Sequence, residues 1–132
     1  MDNDLIKNVK NDKFAAFVGI RLVKVSPGYA LTELELNENH LNGVNMVQGG
    51  VIFTLADYAF AAACNAAGCP TIGLSTTISY YRPPTGRKIK AEAKEISVEK
   101  KISGYQVNVM DEDNTVVAAF TGLGYRKHKQ KT

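Results

Sequence analysis

The chain has 132 residues, 45% apolar and 22% charged, with a net charge of +3 from 16 Lys+Arg against 13 Asp+Glu. A chain of this length closes one hydrophobic core without metal or disulfide support, so a single domain spanning residues 1–132 is expected. The composition excludes a disordered or collagen-like chain, and the charge is too mild for the concentrated basic face of a nucleic-acid binder.

The acidic start Met1-Asp2-Asn3-Asp4 leads into no apolar h-region, which argues against a signal peptide. Phe14, Phe17 and Val18 fall at helical spacing, with Asn11 or Asp12 as the cap and Gly19 as the stop. Ile20 to Asn37 reads as a strand pair or one long bent strand. It alternates with period two at Glu33-Leu34-Glu35-Leu36 and bends at Pro27-Gly28. A loop from Glu38 to Gln48 follows. Gly49 to Ala67 is then nearly all apolar, but Asp57 at its centre would cost about 2.5–3.5 kcal/mol in a bilayer. The segment therefore reads as the core helix of a soluble fold, stopped by Gly68-Cys69-Pro70.

Four strands complete the chain. They are Thr71 to Tyr81, Lys88 to Val98, Ser103 to Met110 and Thr115 to Tyr125, with turns at Pro83-Pro84-Thr85-Gly86 and Asp111-Glu112-Asp113-Asn114. Consecutive strands joined by tight turns imply an antiparallel sheet. A helix that is apolar on nearly every side must be surrounded, so the sheet is expected to curve round it. The last strand is apolar on both faces (Val116 to Phe120), which points to an oligomer meeting at that strand's outer face or edge. Residues 127–132 read as a basic, solvated tail.

Cys64 and Cys69 straddle the helix end. Of a disulfide and two small hydrophobes in a reducing cytoplasm, the second is expected, and with it a cytoplasmic location. His40 and His128 lie far apart, no His/Cys cluster has metal spacing, and no phosphate-binding glycine loop or nucleophile elbow occurs.

The informative residue is Asp57, the only Asp, Glu, Lys or Arg between Glu38 and Arg82. A carboxylate among Phe53, Leu55, Ala56, Phe60 and Ala61 is expensive unless paired, hydrogen-bonded or functional. Burial would raise its pKa towards that of a general base. The competing reading is an Asp bonded to nearby backbone or turned to solvent. Gln48-Gly49-Gly50 opens the helix, where unpaired N–H groups and the helix dipole can form an oxyanion hole. Asp57, Phe60, Ala61 and Cys64 share one face by spacing, placing the carboxylate above a small apolar groove.

Asn42-Gly43, the run Gln48 to Asp57, Tyr80-Tyr81-Arg82-Pro83 and Gly86 together resemble the hotdog-fold acyl-CoA thioesterases of the phenylacetate-degradation type. The resemblance covers about residues 14–126. It implies an α+β hotdog fold, a curved antiparallel sheet of five or six strands wrapped round one long helix, assembled as a dimer or a dimer of dimers. It further implies that the Gly49 N–H polarises the thioester carbonyl, with Gly50 beside it against the substrate. Asp57 from the partner subunit would act as base or nucleophile, and Asn42 would orient substrate or catalytic groups. Arg82 would sit near the CoA phosphates or be a solvated turn residue.

The family usually has His where this chain has Gln48, whose amide can donate a hydrogen bond but cannot carry a proton. The expected activity is hydrolysis of acyl-CoA thioesters with aryl or medium acyl groups, the acyl tail lying on Phe60, Ala61 and Cys64. Coenzyme A would enter only as part of the substrate, with no separate cofactor, metal, nucleic-acid or membrane partner. A non-catalytic acyl-CoA binding protein is the alternative that Gln48 supports. A dehydratase of the same fold would need a His nearer the site than His40.

Overall fold

A computed structural model describes residues 3–128. Helices α1 (Asn3–Lys10) and α2 (Lys13–Val18) lead into β1 (Arg21–Ser26) and β2 (Tyr29–Glu35). A 3-10 turn (Glu38–His40) and a loop precede α3 (Gly49–Asn65). Strands β3 (Thr71–Tyr80), β4 (Lys88–Val98), β5 (Ile102–Met110) and β6 (Val116–Arg126) follow. The strands form one antiparallel sheet in the order β1-β2-β4-β5-β6-β3.

Period-two alternation decides which face of the sheet meets α3. Ala30, Thr32 and Leu34 of β2 stand in register with Ala93, Ala91 and Ile89 of β4, and all six are buried. Tyr105, Val107 and Val109 continue this inner face on β5. The alanines of α3 (Ala56, Ala59, Ala62 and Ala63) are fully buried and let the sheet approach the helix closely. Thr32 belongs there because its hydroxyl donates to the Leu55 carbonyl at 3.2 Å. Leu55 has no exposed surface, and a buried leucine cut to alanine typically costs about 2–5 kcal/mol.

Helix α2 has the expected ends: the Asp12 side chain accepts from the Ala15 N–H, and Gly19 is left-handed at φ 100°. Helix α1 is absent from the sequence expectation. It is a short amphipathic segment held through Ile6, too brief to show a clear helical period. Helix α3 stops two residues before Ala67, with Ala66 as its cap and Gly68 left-handed at φ 87°.

The last strand requires a correction. β6 is not an edge: it lies between β5 and β3, and Val117, Ala118 and Phe120 are buried. Its apolar run is explained within the chain, and the exposed edge belongs to β3. There Ile72 and Leu74 are 53% and 56% exposed, and Thr71 alone is buried. The basic tail is likewise ordered at its start. Arg126 ends β6 and the Lys127 N–H bonds the Pro70 carbonyl, while residues 129–132 lie outside the described ones.

No helix of the described residues is long and apolar enough to cross a membrane. Cys64 and Cys69 are both free and buried.

Candidate active site

Three local structures build the start of α3. Asn42 closes the loop before it, its side-chain oxygen accepting from the N–H groups of Val44 and Met46, each at 3.0 Å. Gln48 is the N-cap, and its side-chain oxygen accepts from the Gly50 N–H. The Tyr80 hydroxyl donates to the Gly49 carbonyl at 3.1 Å. The peptide between Gly49 and Gly50 is thus held on both sides. Among the described residues no acceptor faces the Gly49 N–H, which stands at the positive end of the helix dipole. A Cβ at Gly49 would meet the Tyr80 ring at 3.4 Å, an ordinary van der Waals contact, so Tyr80 packs directly over the helix start.

These contacts narrow what two expected residues can do. The oxygens of the Gln48 and Asn42 side chains are committed to the backbone, which leaves only their amide N–H groups to meet a ligand. His40 offers nothing to a substrate. Its Nε2 faces the Val18 carbonyl at 2.7 Å and its Nδ1 accepts from the Asn37 N–H at 3.0 Å.

Asp57 lies two turns further along α3, half-buried, and no hydrogen bond or ion pair among the described residues reaches its carboxylate. Burial first, and the charge of Asp12 second, holds the carboxyl above the ordinary carboxylate range. Of the two sequence readings, the backbone-bonded Asp is therefore set aside. The carboxylate opens onto a cleft of about 340 Å³ between α3 and the first half of β3.

Phe60, Ala61 and Cys64 share that cleft, as their spacing predicted, but it is not an apolar groove. Phe60 and Cys64 are only 2% and 3% exposed, and the facing wall includes Thr71, Ser75 and Thr76. The Phe60 ring belongs to the core, against Phe120 and Tyr105 and over Gly122, where a Cβ would come within 3.0 Å of it. Burial pushes the Cys64 thiol up to about 12, so it stays protonated and is no nucleophile.

Arg82 is exposed, as a turn residue would be, but it is not unpartnered. Its guanidinium bonds Asp111 at 3.1 Å, and the residue lines a cleft of about 370 Å³ together with Gly49, Tyr80 and Tyr81. The sequence places Asp111 only in the turn Asp111-Glu112-Asp113-Asn114 and marks no role for it. It is fully buried and also accepts from the Thr85 N–H and hydroxyl, the Asp113 N–H and the Thr115 N–H. Desolvation opposes its ionisation, but those hydrogen bonds prevail and hold its pKa below the usual carboxylate value. Tyr80 likewise stands in the sequence only within a predicted strand and the family motif, with no role of its own. No local signal marks either role, because both depend on segments far apart in the chain.

A six-stranded antiparallel sheet wrapped round one long helix, with an unpaired N–H at the helix start and an unpaired carboxylate mid-helix, is the hotdog architecture of thioester-processing proteins. The thioesterase superfamily profile matches residues 44–118, and the chain belongs to that family of thioester hydrolases. It is 31% identical to the acyl-coenzyme A thioesterase PaaI of Escherichia coli, over 89% of this chain and 84% of that protein. The solved structure of E. coli PaaI superposes with a TM-score of 0.88, covering 96% of this chain and 92% of that one at 29% identity. The TT0310 protein of Thermus thermophilus gives 0.84 at 34% identity, covering 89% and 99%.

Proposed function

We infer that this protein hydrolyses acyl-CoA thioesters with aryl or medium acyl groups, in a site shared between two copies of the chain. The observation that carries the reading is the separation of the two unpaired groups. The Gly49 N–H and the Asp57 carboxylate sit eight residues apart on one helix, about 12 Å along its axis, and cannot serve one carbonyl together.

The unpaired edge of β3 supplies the missing half. A second β3 paired antiparallel about the strand midpoint lays the Thr71 end of one copy beside the Tyr80 end of the other. The Asp57 cleft follows the first end and the Gly49 cleft flanks the second. The partner's Asp57 then faces a carbonyl held at Gly49. The Gly49 N–H stabilises the oxyanion as it forms. Asp57 either takes a proton from the attacking water or attacks the carbonyl itself. The C–S bond breaks, CoA leaves as the thiol, and water's oxygen ends in the acid. Gln48 adds an amide N–H near the carbonyl, Asn42 holds the loop, and Arg82 faces the CoA phosphates.

Subunit mixing tests this. Asp57→Asn removes the base or nucleophile, and thiol release should fall about 10²-fold or more. Gly49→Pro removes the N–H at the first helical position, where proline suits the helix and the extended Gln48 already tolerates it. A fall of about 10²–10³-fold is expected. Mixed dimers of the two inactive variants contain one intact site and should regain turnover. Failure to regain it would refute the shared site. Folded wild-type protein that binds acyl-CoA without releasing thiol would instead select the binding-protein reading.

A further inference from the structure

The start of α3 stands between two largely apolar clefts that differ in charge: one includes an arginine and the other has no charged residue. The one on the β3 side, which Gly49 lines, carries the Arg82 guanidinium. On the α2 side, Gln48 and Gly50 open onto a groove of about 450 Å³ walled by Phe14, Val18, Leu41 and Phe53. Phe14, Phe53 and Thr54 also line a narrower cleft of about 140 Å³ that runs on to Asp57. The two spaces on the α2 side therefore form one furrow along the outer face of α3.

No charged residue lines the wider part of this furrow, and Asp12 and Asp57 appear only at its far end. Phe14 stands over both parts and is 60% exposed. An apolar recess that adjoins convergent polar groups is the usual form of a small-molecule site. Resting on the acyl-CoA reading above, the direction of the substrate follows from its own asymmetry. Its CoA half is polar and anionic, its acyl half apolar. With the carbonyl at Gly49, the anionic half fits the side that holds the arginine. The acyl half must then leave past Gly50, into the furrow.

We propose that the furrow between α2 and α3 is the acyl-group site, and that Phe14 determines how long an acyl group the protein takes. The furrow replaces the stripe of Phe60, Ala61 and Cys64 in that role. That stripe offers almost no apolar surface, whereas the furrow is walled by exposed and half-buried apolar side chains. Each methylene it covers is worth about fourfold in affinity.

The chain contains no tryptophan, so Phe14→Trp places a single reporter in the furrow. Phe14 is largely exposed, and the larger ring does not disturb the core. S-octyl-coenzyme A, a thioether that cannot be hydrolysed, should shift the emission to the blue on titration, and coenzyme A alone should not. Phe14→Ala should weaken octyl-CoA binding about tenfold by calorimetry, with the loss shrinking for the ethyl thioether. The proposal is overturned if octyl-CoA binds the wild type while the reporter stays silent and Phe14→Ala loses nothing at any chain length. If neither coenzyme A nor its thioethers bind the wild type, the acyl-CoA reading itself fails, and the acyl site with it.

Discussion

The sheet has two edges, and they are finished differently. β1 is six residues long, carries Arg21 and Lys24, and has a bulge between Leu22 and Lys24. Arg21 also pairs with Glu33 on the neighbouring strand. Short length, lysine and a bulge are the devices by which proteins keep a strand edge from pairing. β3 is ten residues long, without a single charge, and rich in Thr and Ile. It has a bulge of its own near Leu74, but Ile72 and Leu74 lie open beside it. One edge carries the devices that block pairing and the other carries no charge along its length, and the second edge lines both clefts of the candidate site.

The largest expected effect comes from making the second edge like the first. Thr77→Lys with Ser79→Lys sets two cations on the exposed face of β3 without touching the core. By sedimentation the protein should run as a monomer, and thiol release should fall about 10²-fold or more because the partner's carboxylate is gone. Val23→Lys on β1 should leave both the assembly and the rate unchanged. A dimer that survives the β3 substitutions would break the comparison.

Next in size is the anchor behind the cleft on the β3 side. Asp111→Asn leaves Arg82 and three backbone N–H groups short of an ionised acceptor, at a position with no solvent access. Thermal or urea unfolding should show a loss of about 2–3 kcal/mol. The pH dependence sharpens the assignment. The folded pKa of Asp111 is lowered, so the stability it contributes is complete above its unfolded value, near 3.8. That stability is lost as pH falls through the lower folded value. The wild type should therefore show an acid-unfolding step below that value that Asp111→Asn lacks.

The smallest expected effect concerns Asp57. Its carboxyl is held high by burial and, secondarily, by Asp12. If the ionised form is the active one, kcat/KM rises with pH through that raised value. Asp12→Asn keeps the cap on α2, since Asn caps a helix as well as Asp does. Its pH–rate profile should retain the maximum rate, with the acidic limb displaced to lower pH. A limb that does not move would mean that Asp12 leaves Asp57 unaffected.

Some features were legible in the sequence because they are local. The cap and stop of α2, the turn at Pro27-Gly28 and the alternation of β4 each depend on a few neighbouring residues. So does Asp57, whose isolation in an uncharged stretch of the chain is visible without coordinates. The resemblance carried the fold as well, through motifs spread from Asn42 to Gly86. Illegible were the features that join distant segments. Arg82 and Asp111 are 29 residues apart, and Tyr80 meets Gly49 across 31. Helical spacing tells which residues share a face but not whether that face is open, so Phe60, Ala61 and Cys64 line the Asp57 cleft while Phe60 and Cys64 stay almost wholly buried.

The amino-acid sequence by itself determined the succession of elements, the buried helix and its lone carboxylate, since hydrophobic period and turn chemistry act over a few residues. Only the tertiary structure decided which edge of the sheet stays open, what each side chain of the Gln48–Gly50 segment is bonded to, and that Asp111 is an anchor. Those outcomes depend on strand order, and strand order is set by how the whole sheet closes round α3.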